Sequence, residues 1–131
     1  MSSADSSAQP FGVAAAQRVT VYGAQDRPEV APYLPEQALV AEPGARMPAD
    51  VVILFVGTAA DLAHDLTGAA AAVEPGGVLW VCFPTVAAEG QELDINRDTV
   101  ASLLQTNNWQ PLADAALGEK WSAVRGQPSG E

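Results

Sequence analysis

The sequence predicts an α/β fold: a reduced, doubly wound, mostly parallel sheet of about six strands with flanking helices and an antiparallel C-terminal strand. Two observations carry this prediction. Residues 51–56 and 78–83 are apolar at every position, which is typical of central parallel strands that are covered on both faces. Between them, apolar residues recur at helical spacing, and a helix is the usual crossover between parallel neighbours.

Length and composition favour one globular domain. The chain has 131 residues, of which 48% are hydrophobic, enough for a buried core without metals or disulfides. Residues 1–16 are rich in serine and show no periodic apolar pattern, so we expect a flexible N-terminal tail. Residues 127–131 predict a second short tail, which leaves a single domain over residues 17–126.

The first part of the domain predicts two strands and a short helix. Residues 18–22 contain three consecutive β-branched residues, at 19–21, and predict a strand that Gly23 ends. Asp26 is expected to cap a helix over residues 27–34, which its prolines keep to one or two turns. A second strand follows at 37–41 and ends in a Glu-Pro-Gly turn.

The helix after the strand at 51–56 has the strongest sequence signals. Thr58 precedes Asp61 by three residues, which is the spacing of a capping box. Five apolar residues then recur on one helical face: Leu62, Leu66, Ala69, Ala70 and Val73. The Glu-Pro-Gly-Gly sequence at 74–77 predicts a turn that ends this helix before the strand at 78–83.

The C-terminal third predicts one helix and two strands. Asp98 is expected to cap a helix that ends near residues 107–108. Residues 109–113 and 121–124 predict two strands that pair antiparallel across a turn at 118–119.

The charge balance disfavours two classes of partner. The net charge is −10, with one lysine and five arginines that form no basic run. Nucleic acids and anionic membranes attract clustered cations, so we expect binding to neither. The single cysteine, Cys82, fits a reducing cytoplasm, and the N-terminus lacks the basic start and apolar stretch of a signal peptide. We therefore expect a cytoplasmic protein.

The order of elements resembles class I methyltransferases from which one strand-helix unit has been removed. More closely, residues 18–125 resemble a small bacterial family, domain of unknown function 3052. The resemblance is carried by Gly-Gly-Val-Leu-Trp-Val at 76–81, Phe-Pro at 83–84 and Lys-Trp-Ser-Ala at 120–123. It implies a Rossmann-like, methyltransferase-like domain and no particular activity.

Ligands of open α/β sheets bind beyond the carboxyl ends of the strands. By that rule six residues are expected to border any ligand site: Gly23, Glu42, Gly57, Thr58, Pro84 and Thr85. Glu42 lies 19 residues beyond Gly23, where an acid could accept hydrogen bonds from ribose hydroxyls, although an acid in such a turn also fits a purely structural role.

The turn after the first strand departs from the methyltransferase pattern. It reads Tyr-Gly-Ala-Gln-Asp at 22–26, so Ala24 and Gln25 place side chains where a cofactor needs close approach of the backbone. We therefore expect no cofactor and a non-enzymatic domain that acts through protein contacts, in a regulatory or accessory role. The alternative is a small-molecule or nucleotide-binding module, including a reduced S-adenosylmethionine-dependent methyltransferase.

Other candidate chemistry is sparse, so we expect neither a catalytic residue nor a metal site. His64, the single histidine, falls opposite the apolar helix face and is expected to be solvent-exposed. Asp61 and Asp65 lie near a helix N-terminus, where acids favour the helix dipole. Cys82 falls within a buried strand and is expected to be a core residue.

The connection between the second strand and the strand at 51–56 is short. Eight residues, 42–49, span at most about 26–29 Å, which is enough for an extended return but leaves no room for a helix. Part of one sheet face is then expected to lack helical cover. We expect a homodimer or another protein partner to contact that apolar surface.

Overall fold

The computed structural model describes residues 18–23, 34, 38–41, 48–85, 95–117 and 121–128. The strands are Val19–Tyr22 (β1), Ala38–Ala41 (β2), Ala49–Phe55 (β3), Val73–Pro84 (β4), Trp109–Leu117 (β5) and Trp121–Pro128 (β6). The helices are Ala59–Ala71 (α1) and Arg97–Thr106 (α2). The predicted helix at 27–34 lies outside the described residues, apart from Leu34.

The described strands form one six-stranded sheet in the order β2-β1-β3-β4-β6-β5. The pairs β1–β2, β1–β3 and β3–β4 are parallel, whereas β6 runs antiparallel to both β4 and β5. The chain moves outward from β1 to β2 and then crosses back to β3 on the other side of β1. This arrangement confirms the predicted doubly wound, mostly parallel α/β fold.

Side chains alternate between the two faces of the sheet, which gives two buried clusters. On the first face, the apolar stripes of both helices pack on the strands, with Leu62 and Leu66 from α1 and Val100 and Leu104 from α2. The second face carries the opposite set: Val19, Val21, Val51, Ile53, Phe55, Trp80, Cys82, Trp121 and Ala123, with Leu34 packed against it.

The expectation that part of one sheet face lacks cover differs from the structure over the central strands. Every residue of the second cluster is at most 7% exposed, so the central strands are covered on both faces. Among the described residues, the exposed large apolar side chains are Leu39 and Val40 on β2 and Leu112 on β5. Apolar exposure is therefore found on the two outermost strands.

The predicted turn at 74–77 is instead an irregular part of β4. Ala49 pairs with Val73 and Val51 pairs with Val78, so four residues of β4 lie opposite Asp50 alone. A Cβ atom on Gly77 would lie 2.4 Å from the carbonyl oxygen of Asp50, which explains why this irregular segment needs glycine at that position.

Other element boundaries also differ from the prediction. Helix α1 ends at Ala71, so Val73 lies in β4 and not on the helix face, and β5 continues to Leu117. Asn96, not Asp98, caps α2, because the Asn96 side chain accepts a hydrogen bond from the Thr99 backbone N–H at 2.9 Å. Strand β6 continues to Pro128, two residues beyond the predicted end of the domain, because its last residues pair with the start of β5 at Trp109.

The described helices are short. Neither α1, with 13 residues, nor α2, with 10, has the length and apolar character needed to cross a membrane.

Candidate functional site at the carboxyl edge of the sheet

The carboxyl edge of the parallel strands brings five of the six predicted site residues to one side of the sheet. Gly23 directly follows β1, Gly57 and Thr58 follow β3, and Pro84 and Thr85 lie at the end of β4. Glu42 follows β2 but lies outside the described residues. The placement at the strand ends agrees with the prediction, and a binding role for these residues stays a prediction.

The point between β1 and β3 is where the strand order changes direction. The chain leaves β1 toward β2 on one side, and it leaves β3 toward β4 on the other. Connections that diverge in this way open a crevice above the strand ends, which is the usual ligand position in open α/β sheets. Gly23 and Gly57 border this point.

Gly23 has a backbone conformation that disfavours other residues. Its φ is +84°, in a region that side chains rarely adopt. A Cβ atom at this position would lie 2.2 Å from the Phe55 carbonyl oxygen, the last carbonyl of β3. Glycine therefore allows the ends of β1 and β3 to approach closely.

The ends of β3 and β4 are held together by backbone and aromatic contacts. The Val56 N–H donates to the Cys82 carbonyl oxygen at 3.0 Å. The ring of Phe55 meets the ring of Trp121 edge to face, with centroids 5.5 Å apart at an interplanar angle of 74°. The sequence predicts Phe55 and Trp121 as strand residues and gives them no functional role. Their positions at strand ends are the signal that they support this edge.

Thr58 is the N-cap of α1, as the capping-box spacing predicted. Its backbone is extended, with φ −142° and ψ 165°, and its hydroxyl oxygen accepts a hydrogen bond from the Asp61 N–H at 3.0 Å. The side chain thus has a structural role at the edge of the crevice. A ligand that used the same oxygen would compete with the helix cap.

Replacing Thr58 with alanine is expected to lower the free energy of unfolding by about 1 kcal/mol, because the Asp61 N–H loses its acceptor. Urea unfolding followed by circular dichroism measures this change. Thr67→Ala is the matched control, since Thr67 is an exposed residue inside α1, and we expect it to leave stability unchanged or slightly raised. Equal losses in the two variants would contradict the capping role.

Two other titratable candidates, His64 and Cys82, are not available to a ligand at this edge: His64 lies on the exposed face of α1, and Cys82 is buried in β4. His64 is 87% exposed, as predicted, and its hydrogen bond to Asp65, 2.7 Å from Nδ1 to Oδ1, raises the pKa of the imidazole. Cys82 is fully buried, as predicted, and burial raises the pKa of its thiol well above the ordinary value, which keeps it protonated. Within the described ranges, no three His, Cys, Asp or Glu residues lie together as metal ligands.

The opposite, amino edge of the sheet holds a small ion-pair group. The Arg18 guanidinium lies 3.2 Å from a Glu74 carboxylate oxygen and 3.9 Å from Asp50, and the Arg18 backbone N–H donates to Asp50 at 3.0 Å. These contacts tie β1 to β3 and to the bulge of β4. Glu74 therefore lies at the opposite edge of the sheet from the crevice, and it can serve as a control position in binding experiments.

Several solved structures share this fold. A methyltransferase of calicheamicin biosynthesis, in an SAH-bound form, matches with a TM-score of 0.63 at 16% identity over 93% of this chain and 52% of its own. Magnesium protoporphyrin IX methyltransferase from Synechocystis PCC 6803 with bound SAM matches with a TM-score of 0.61 at 11% identity, over 96% of this chain and 74% of its own. The mitomycin 7-O-methyltransferase matches with a TM-score of 0.59 at 11% identity, over 86% of this chain and 49% of its own.

These similarities establish that the chain shares the Rossmann-like α/β fold of these methyltransferases. The chain spans about half the length of the calicheamicin and mitomycin enzymes. No protein-family profile matches the chain, and no curated protein matches its sequence. The resemblance to domain of unknown function 3052 therefore stays a prediction.

Proposed function

We propose that this chain is a small-molecule-binding module that binds an adenosyl ligand, S-adenosylmethionine or S-adenosylhomocysteine, in the crevice between the carboxyl ends of β1 and β3. The proposal concerns binding. Methyl transfer would need a second substrate, and no described residue is assigned to that step.

The observation that carries this proposal is the turn after β1. Gly23, with φ +84°, lies where the strand order changes direction, and its missing side chain lets the end of β1 lie close to the Phe55 carbonyl oxygen at the end of β3. Close approach of backbone to ligand at this point is what a bound cofactor needs from the turn. A glycine at the end of β1 is the feature of a cofactor-binding turn that this chain retains.

The structures with the same fold support the small-molecule alternative over a purely protein-contacting domain. One of them carries SAH and another carries SAM, and the fold match extends over 93% and 96% of this chain. A fold match at 11–16% identity transfers no activity by itself. It does make the adenosyl ligands the first ligands to test.

The test is a calorimetric or thermal-shift titration of the full chain with S-adenosylmethionine, S-adenosylhomocysteine, ATP and NAD. A ligand present at a hundred times its dissociation constant is expected to raise the free energy of unfolding by about 2.7 kcal/mol. The expected result is a saturable response to at least one of the two adenosyl ligands, and a response to neither would contradict the proposal.

A pair of acid-to-alanine variants separates a ribose contact from general loss of charge. Glu42→Ala is expected to abolish or strongly weaken the response, because the predicted role of Glu42 is to accept hydrogen bonds from the ribose. Glu74→Ala removes an acid at the amino edge, where Glu74 contacts Arg18, and is expected to leave binding unchanged. Equal weakening in both variants would argue against a ribose role for Glu42.

A further inference from the structure

The second face of the sheet is buried at β4 and β6, although neither described helix lies on it. Both helices pack on the first face, through Leu66 of α1 and Leu104 of α2 among others. On the second face Trp80 is 5% exposed, Trp121 is 7% exposed, and Cys82 is fully buried. Large aromatic side chains reach such burial only when other atoms lie over them. A single copy of the chain reaches this burial, so its own residues supply the cover.

Leu34 accounts for the cover nearer to β1. It lies on the connection from β1 to β2 and packs against the second cluster. This connection leads away from β4, because β2 lies on the far side of β1. Strands β4 and β6 lie two and three strands from β1, which is about 10 and 14 Å at the usual strand spacing. A separate part of the chain is therefore needed to cover Trp80, Cys82 and Trp121.

The segments outside the described residues differ in how far they can reach, and residues 1–17 reach furthest. Residues 42–47 return from β2 to β3, and residues 86–94 lead from the end of β4 to Ile95, which packs on the first face. Residues 118–120 and 129–131 extend over only about 10 Å each. Residues 1–17 directly precede β1 and can span up to about 56 Å, several times the distance from β1 to β6. They are therefore the segment best able to cover β4 and β6.

The composition of residues 11–16 suits an apolar surface. The sequence there is Phe-Gly-Val-Ala-Ala-Ala, which carries no charge and holds two large apolar side chains, Phe11 and Val13. Phe11 lies seven residues before Arg18, so it can reach about 23 Å from the start of β1, whereas β4 is about 10 Å away. The ring can therefore reach Trp80 without stretching the chain.

We propose that residues 11–16 pack on the second face of the sheet over Trp80 and Cys82, with the Phe11 ring as the main contact. The domain then begins near residue 11, and not at residue 17. This contact removes the Trp80 indole and the Cys82 thiol from water, which the hydrophobic effect favours. Because the cover belongs to the same chain, it does not depend on protein concentration.

The test uses the single cysteine, Cys82, as a reporter of this cover in the full chain. N-ethylmaleimide reaches the thiol only when the second face opens, so its labelling rate under native conditions measures that opening. Phe11→Asp is expected to raise the labelling rate by about tenfold or more, because a charge cannot stay on this apolar face. Gln9→Asp adds the same charge outside residues 11–16 and is expected to leave the rate unchanged.

Leu104→Ala separates local opening from a general loss of stability. Leu104 is buried on the first face, so alanine destabilises the chain and leaves the cover of the second face in place. Phe11→Asp is expected to label faster than Leu104→Ala even if Leu104→Ala unfolds at a lower urea concentration. A wild-type labelling rate in Phe11→Asp overturns the proposal. So does an equal rise in Gln9→Asp, and so does a rise in Phe11→Asp no larger than its loss of stability explains, with Leu104→Ala as the reference.

Discussion

Replacing Gly23 with alanine is expected to lower the free energy of unfolding by about 2–5 kcal/mol. Two costs add: a residue with a side chain at φ +84° loses about 1–2 kcal/mol, and the new Cβ atom, 2.2 Å from the Phe55 carbonyl oxygen, forces the ends of β1 and β3 apart at about 1–3 kcal/mol. Small domains have only about 5–15 kcal/mol of stability, so the effect should be large in urea unfolding.

Gly68→Ala is the matched control for this prediction. Gly68 is exposed within α1, and a Cβ atom there would meet nothing within 4 Å. Alanine should therefore raise the free energy of unfolding by about 0.5–1 kcal/mol, because helical glycine is less favourable than alanine. A Gly23→Ala variant as stable as the wild type would mean that the chain relaxes around this turn without cost.

Replacing Phe55 with alanine is expected to lower the free energy of unfolding by about 3–5 kcal/mol. Phe55 is 1% exposed on the second face of the central strand β3, and the smaller side chain would leave a cavity. The loss includes the edge-to-face contact with Trp121, which contributes about 0.5–1.5 kcal/mol beyond its buried area. Chemical unfolding of the variant measures the total.

An exposed apolar residue supplies the comparison for Phe55. Leu112 on β5 is 46% exposed, and Leu112→Ala is expected to change stability by no more than about 0.5 kcal/mol. Similar losses for Phe55→Ala and Leu112→Ala would contradict the assignment of Phe55 to a rigid, covered core. A Phe55→Leu variant, which keeps most of the volume, should fall between the two extremes.

The sequence predicted those features of the fold for which its pattern favours one physical explanation. An uninterrupted apolar run of six residues, such as 51–56, is too short for a typical buried helix and favours a strand covered on both faces, and β3 lies in the middle of the sheet. The Thr58–Asp61 spacing predicted a helix cap because the hydrogen bond depends on local geometry alone. The same reasoning placed Cys82 in the core and His64 in solvent.

Predictions differed from the structure where tertiary contacts decide between two acceptable local conformations. Pro75 and the two following glycines favour a turn, but pairing with β3 keeps residues 74–77 in the strand as a bulge. Asn96 and Asp98 are both good caps, and helix α2 begins at Arg97, directly after Asn96.

The candidate site was predictable in position and only partly in conformation. The strand-end rule placed Gly23, Thr58 and Thr85 along one edge. The glycine count in the turn after β1 predicts that close approach of the backbone to a ligand is lost, and this stays a prediction because residues 24–26 lie outside the described residues. The φ of Gly23 and its distance from Phe55 are the features that the residue types alone could not supply.

The order of strands also has a consequence for the folding pathway. Strands β5 and β6 are joined by three residues, whereas the paired residues of β1 and β3, such as Val19 and Val51, lie 32 residues apart in the sequence. Closing the longer loop costs more chain entropy, so we expect the C-terminal hairpin to form early and the β1–β3 pairing to form late. Mutational φ values should then be higher in β6 than in β1. During refolding of the full chain, the C-terminal hairpin would thus form before the crevice between β1 and β3 exists.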